Sequence, residues 1–130
     1  MNRNFHLGEL CLIGSSKRIH LADYVDEGIP FYRSKEIIEL AAGQNISDTL
    51  FTSRDKYNEI EKRFPVPKVN DILITSVGTI GVTYLVKKDG FYFKDGNLTW
   101  LREIDSELVD VKFFIKWLKS NFFLNQIMNN

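Results

Sequence analysis

Two alternating apolar runs stand back to back in the middle of the chain, over 70–86, NDILITSVGTIGVTYLV. The first, 71–76, and the second, 80–86, are rich in β-branched and aromatic residues, the pattern of half-buried strands. The joint Val77-Gly78-Thr79 is not the Asn-Gly or Asp-Gly of a bare hairpin: it sets Gly78 and Gly81 three apart among the hydroxyls of Thr75, Ser76 and Thr79. Upstream, an apolar segment over 7–13 runs into a small, polar and basic loop over 14–18. Residues 29–34, IPFYRS, read as a short strand entered through Pro30, then a helical turn over 35–42 that Gly43 ends. Residues 53–63, SRDKYNEIEKR, predict a helix with Ser53 as N-cap and Asp55 in its first turn, stopped by Pro65 and Pro67. Downstream, Asp89-Gly90 is a hairpin signal before a strand over 91–93, and the turn Lys94-Asp95-Gly96 precedes another over 97–101. From 109 to 128, Val109, Phe113 and Trp117 recur four apart with Phe114 and Leu118 beside them, the stripe of an amphipathic helix. The expected fold class is α+β, a β-rich middle with short helices and a C-terminal amphipathic helix.

No repeat, low-complexity tract or long linker divides the chain, so the reading is a single domain over 1–120, with 121–130 as the start of a further helix or a frayed terminus. At 130 residues and 44% hydrophobic content the chain can bury a real core. Lys+Arg and Asp+Glu both number 17, so no global field draws the protein to nucleic acid or to an anionic membrane, and any such binding has to be local. The single cysteine, Cys11, excludes an internal disulfide framework and a zinc finger and reads as a buried small hydrophobe. No apolar stretch approaches the roughly 20 residues that span a bilayer, and the first five residues lack the apolar core of a signal peptide. The expectation is a soluble cytoplasmic protein with no membrane contact.

Candidate chemistry is sparse. The histidines His6 and His20 have no nucleophile beside them. Asp110-Val111-Lys112, with Asp71 or Asp95 upstream, has the spacing of a metal-dependent nuclease, but Asp110 is equally explained by the dipole of the helix it opens. Neither GxxxxGK[ST] nor GxGxxG after a strand is present. A non-catalytic protein without cofactor or metal is expected. Loop and strand-end positions carry the side chains that contact phosphates and base edges: Lys17 and Arg18, then Arg33, Ser34 and Lys35, then Ser76 and Thr79, then Lys94 and Asn97. Gly78 and Gly81 are the turn positions among them.

Leu7-Gly8-Glu9-Leu10-Cys11, the segment 28–34 (GIPFYRS), 70–75 (NDILIT), Gly78-Thr79-Ile80-Gly81 and 97–102 (NLTWLR) follow one another in an order and spacing that resemble a target recognition domain of the specificity subunit of type I restriction-modification systems. The resemblance covers roughly residues 7 to 120. It implies a domain that reads one half of a split target in double-stranded DNA and holds it for a partner methyltransferase, which flips and methylates an adenine and through which the restriction subunit joins. Catalysis would then lie in the partners. Such subunits usually carry two recognition domains separated by long helices; one domain without that spacer implies a fragment, or a one-domain chain that pairs with itself as a homodimer. In that setting Phe122, Phe123, Leu124, Ile127 and Met128 begin a helix against a spacer or partner, or form a second stripe on the domain's own core.

Two rival readings remain from the residues alone. One is a β-rich protein-interaction module whose Tyr24, Tyr32, Tyr84 and Tyr92 form a binding surface; the other is the small nuclease built on Asp71 or Asp95 with Asp110 and Lys112.

Overall fold

The structure, a computed structural model, describes residues 7–120. Eight strands form two four-stranded sheets. In the first, the order is β1 (Leu12–Gly14), β8 (Leu98–Arg102), β5 (Ile72–Thr75), β6 (Thr83–Leu85), every pairing antiparallel. In the second, β2 (Tyr24–Val25), β4 (Leu50–Thr52) and β3 (Ile29–Tyr32) are antiparallel neighbours, and β7 (Tyr92–Phe93) lies parallel to β3. Four helices pack around them: α1 (Leu7–Leu10), α2 (Ser34–Ala41), α3 (Arg54–Arg63) and α4 (Val111–Leu118). Among the described residues no helix is long and apolar enough to cross a membrane.

Strand alternation sorts the apolar side chains into three clusters. Ile72 and Ile74 of β5 and Leu101 of β8 point to one face of the first sheet, where Leu10, Cys11, Phe114 and Leu118 cover them. Leu73, Leu98 and Trp100 point to the opposite face and meet Phe93 of the second sheet and Ile37 of α2. Phe31 and Tyr92 face the far side of the second sheet, under Tyr57 and Ile60 of α3. Because β5 is covered on both sides, all four of its residues are buried, which explains why its sequence reads as an almost unbroken apolar run.

The α+β class and the main elements agree with the sequence pattern. Ser53 caps α3, its hydroxyl accepting from the Lys56 N–H at 3.1 Å, and the helix ends before Pro65. Asp110 caps α4 in the same way through the Phe113 N–H.

Three expectations are corrected. The second strand of the central pair begins at Thr83, not 80, because Thr75 holds the connection closed: its carbonyl accepts from the Gly81 N–H at 2.8 Å and its hydroxyl from the Val82 N–H at 2.9 Å. Asp89-Gly90 makes no hairpin: the Asp89 carboxylate accepts from the Val69 N–H, Gly90 turns the chain at φ +86°, and the next strand crosses to the second sheet to lie beside β3. On α4 the buried pair is Phe114 and Leu118, and Trp117, with Val109 just before the helix, packs partly buried against the same cluster, while Phe113 is 65% exposed, so within the expected stripe it is Phe113 that turns outward. The helix expected over 109–128 begins at Val111 and ends at Leu118 with Lys119 as its C-cap, and the apolar residues 122–128 lie outside the described residues.

Candidate nucleic-acid interface

The backbone carbonyl of Asn97 is a junction. It accepts the Ser76 N–H at 3.0 Å and the Ser34 hydroxyl at 3.4 Å, tying the β5–β6 loop, the start of α2 and the β7–β8 connection together. Three residues back, the Lys94 N–H donates to the Tyr32 carbonyl at 2.9 Å, directly beside Arg33. Six of the candidate residues, Arg33, Ser34, Lys35, Ser76, Lys94 and Asn97, are thereby brought to one end of the two sheets, with Lys35 and Lys94 exposed. Thr79 is exposed in the loop between β5 and β6. The glycines of that loop take φ +75° at Gly78 and +90° at Gly81, the left-handed region that other residues reach only with strain. A Cβ on Gly78 would meet nothing within 4 Å, so that glycine serves the turn and not a close approach. The loop is therefore fastened at its base by Thr75 and open at its tip.

Lys17 and Arg18 reach the second sheet by a different route. The Ser16 hydroxyl donates to the Phe93 carbonyl at 2.7 Å and the Lys17 N–H to the Tyr92 phenol oxygen at 2.6 Å, which lays this segment along β7. Both basic side chains are exposed, and the Lys17 ammonium stands 4.3 Å from the centre of the Phe64 ring. Burial is the main cause that pushes the Tyr92 phenol above its usual range, keeping it neutral as the partner of Lys17.

Arg33 is already engaged. Its Nε and Nη2 donate to the two oxygens of Glu36 at 2.9 and 3.0 Å, and its own backbone N–H donates to the same carboxylate at 2.9 Å. The Glu36 side chain is fully buried, whereas that of Arg33 remains 35% exposed. The hydrogen bond to Glu36 is the largest effect holding the guanidinium protonated, with the Asp48 carboxylate adding to it. Sequence reasoning singled out Arg33 and missed Glu36; the available signal was an acid three residues on, facing the same side of a helix.

The rival constellations come apart. Asp71 is buried against the indole of Trp100, whose Nε1 donates to its carboxylate at 3.0 Å, and it also accepts the Lys68 N–H at 2.9 Å. Asp110 spends its carboxylate on the cap of α4. Among the described residues no three His, Cys, Asp or Glu side chains gather as a metal site. The four tyrosines form no single surface: Tyr92 is in the core and Tyr24 packs on Phe31, while Tyr32 and Tyr84 both lie partly buried against the cluster of Phe91 and Trp100.

The same architecture occurs in solved structures. It superposes on the HsdS subunit from Thermoanaerobacter tengcongensis with a TM-score of 0.63 at 21% identity, over 88% of this chain and 26% of that one. The chain has the fold of an HsdS domain. A second structure, from work on complex assembly and conformational transition of the type I R-M system, gives a TM-score of 0.59 at 20% identity over 86% of this chain and 25% of the other. In sequence, the chain is 29% identical over 120 residues to a Haemophilus influenzae protein named as a type I restriction enzyme specificity subunit, the match taking in 92% of this chain and 29% of that protein. No family model matches the chain. The chain thus spans less than a third of the length of this curated relative.

Within the HsdS-like fold, three of the five ordered motifs build the strand framework, while Gly78-Thr79-Ile80-Gly81 lies in the exposed β5–β6 loop. The segment 70–75 supplies β5 and 97–102 supplies β8, the paired central strands of the first sheet. The segment 28–34 is β3 with the entry to α2, and it begins at a glycine whose added Cβ would stand 2.4 Å from the Thr52 carbonyl oxygen. These three motifs identify the framework; the exposed cations sit between motifs, Lys17, Arg18 and Lys94 on loops and Lys35 in the first turn of α2.

Proposed function

We propose that this chain reads one half of a split target in duplex DNA as part of a type I restriction-modification assembly. The methylation chemistry and the cofactor it consumes belong to a partner methyltransferase subunit, through which the restriction subunit is recruited, and the complex works in the cytoplasm. The observation that carries this reading is the junction at the Asn97 carbonyl, which holds three loops together and presents Lys35 and Lys94 beside Ser76 and Thr79 on an HsdS-like fold. Lys17 and Arg18 extend the basic positions along β7. With 17 basic and 17 acidic residues, phosphate neutralisation is limited to these local cations, so the chain alone binds weakly and the methyltransferase supplies the clamp.

Enrichment of bound sequences from a pool of random DNA duplexes tests the reading, run at low salt with the chain alone and again with a methyltransferase subunit of such a system. The expected result is a short shared sequence of roughly three to five base pairs, sharpened by the subunit, and a uniform loss of affinity in the Lys17→Ala/Arg18→Ala and Lys94→Ala variants. Absence of any enriched sequence in both pools refutes it. Size measurement on the same samples separates a single reader from a self-paired homodimer.

A further inference from the structure

The pairing of Arg33 with Glu36 places a carboxylate wholly inside the domain, where it caps α2 through the Arg33 N–H and also holds one partly exposed guanidinium. Burying such a pair is a poor way to gain stability, since apolar replacements of similar volume are often as stable or more so. What the pair supplies is geometry. Of the five N–H groups of an arginine, the Nε–H and one on Nη2 are taken by Glu36. The N–H groups that remain are two on Nη1 and one on Nη2, and a pair of them forms the outer fork of a planar group whose orientation is fixed.

Charge decides what such a fork suits. Glu36 opposes the guanidinium at 2.9 Å, and Asp48 acts on it as well, so an approaching phosphate meets no net positive charge here. Phosphate contact falls instead to the exposed Lys35 and Lys94 nearby. A fixed two-donor fork without net charge matches the O6 and N7 acceptors that guanine presents in the major groove. We infer that Arg33 is a specificity-determining residue that reads a guanine, with Glu36 as the positioning residue that locks its fork. This inference rests on the DNA-reading function above and adds the base to it.

The test compares enriched sequences for the 130-residue chain with the methyltransferase subunit, using the native sequence, the double variant Arg33→Met with Glu36→Leu, and Arg33→Lys. The double variant removes both charges together, so no buried carboxylate is stranded; it also gives up the cap that Glu36 makes with the Arg33 N–H, and cooperative thermal unfolding checks that the fold is retained. Arg33→Lys keeps a charge opposite Glu36 and loses the planar fork, so it answers the same question should the double variant fail to fold.

The native chain is expected to enrich a sequence with a fixed G·C pair. In both variants the preference at that one position falls about tenfold, as loss of a bidentate base contact implies, while the dependence of affinity on salt stays unchanged. Unaltered sequence preference in the variants overturns the inference, whatever happens to their melting temperature. So does a salt slope reduced by about one with the sequence intact, which marks a phosphate contact. If the native chain enriches no sequence at all, the DNA-reading function itself fails.

Discussion

Replacing Trp100 by phenylalanine isolates a buried hydrogen bond that holds the two central strands of the first sheet together from the side. The indole Nε1 donates to the Asp71 carboxylate at 3.0 Å, and Trp100 and Asp71 are only 2% and 6% exposed, so water cannot take the donor's place. Loss of a hydrogen bond to a charged group costs about 1.5–3 kcal/mol, and the smaller ring leaves a partial void worth about another 1 kcal/mol. The expected destabilisation is therefore roughly 2.5–4 kcal/mol near neutral pH.

The pH dependence has a definite sign. Burial, the largest influence on Asp71, raises its carboxyl above the ordinary value, while the Lys68 N–H and Trp100 pull it back. A raised folded pKa means that the folded state holds the proton more tightly, so this group's contribution to stability falls as pH rises from the unfolded pKa through the folded one. Without the Trp100 donor the folded pKa moves higher still. The destabilisation by Trp100→Phe is then largest above that interval and smallest below the ordinary carboxylate range. Urea unfolding followed by far-ultraviolet circular dichroism at pH 7 and near pH 4, in a cycle with Asp71→Asn, measures it. Equal destabilisation at both pH values, together with additive single variants, would refute the argument.

Gly28→Ala drives a Cβ to 2.4 Å from the Thr52 carbonyl oxygen, a backbone atom in the ladder beside β3, and should cost about 1–3 kcal/mol in urea unfolding; the same change at Gly78, with open space around it, costs about 1 kcal/mol through its left-handed backbone alone. Phe114→Ala removes a side chain 1% exposed and should cost about 3–5 kcal/mol, whereas Phe113→Ala, 65% exposed one residue earlier, stays within about 0.5 kcal/mol; comparable losses would mean that the helix faces inward on the other stripe. Burial pushes the Cys11 thiol up to about 11, so the unfolded chain ionises first and stability drops as pH rises from 9 toward 11, a drop that Cys11→Ala removes from the alkaline limb of a pH–stability curve.

The sequence is most readable where a local signal and the tertiary environment agree. Ser53 announces α3 because a cap is satisfied within three residues, and 72–75 announces β5 because burial on both faces demands apolar residues throughout. Elements defined by distant partners are silent: β2 and β4 are two and three residues long and exist as strands through their pairing with each other and with β3. Asp89-Gly90 has the right residues for a hairpin, yet Phe93 finds its partner at Tyr32, sixty-one residues earlier. Apolar residues stand side by side along α4, and periodicity alone does not tell that Phe113 is the one that turns outward. The candidate loops were legible as basic, but neither the Asn97 carbonyl that joins them nor the burial of Glu36 leaves a mark on residue type.

The pairing of β1 with β8 also sets the order in which the domain can assemble. Leu12 aligns with Arg102 and Gly14 with Trp100, so the first strand of the first sheet has no neighbour until the last one arrives. The same late strand is the one that joins it to β5. During synthesis the second sheet must also wait for Tyr92 and Phe93 to complete its parallel edge. Contacts of such long sequence separation make for slow, nearly all-or-none folding. A nascent chain that ends before β8 leaves β5 with an open edge, the kind of template on which partly made chains pair with one another.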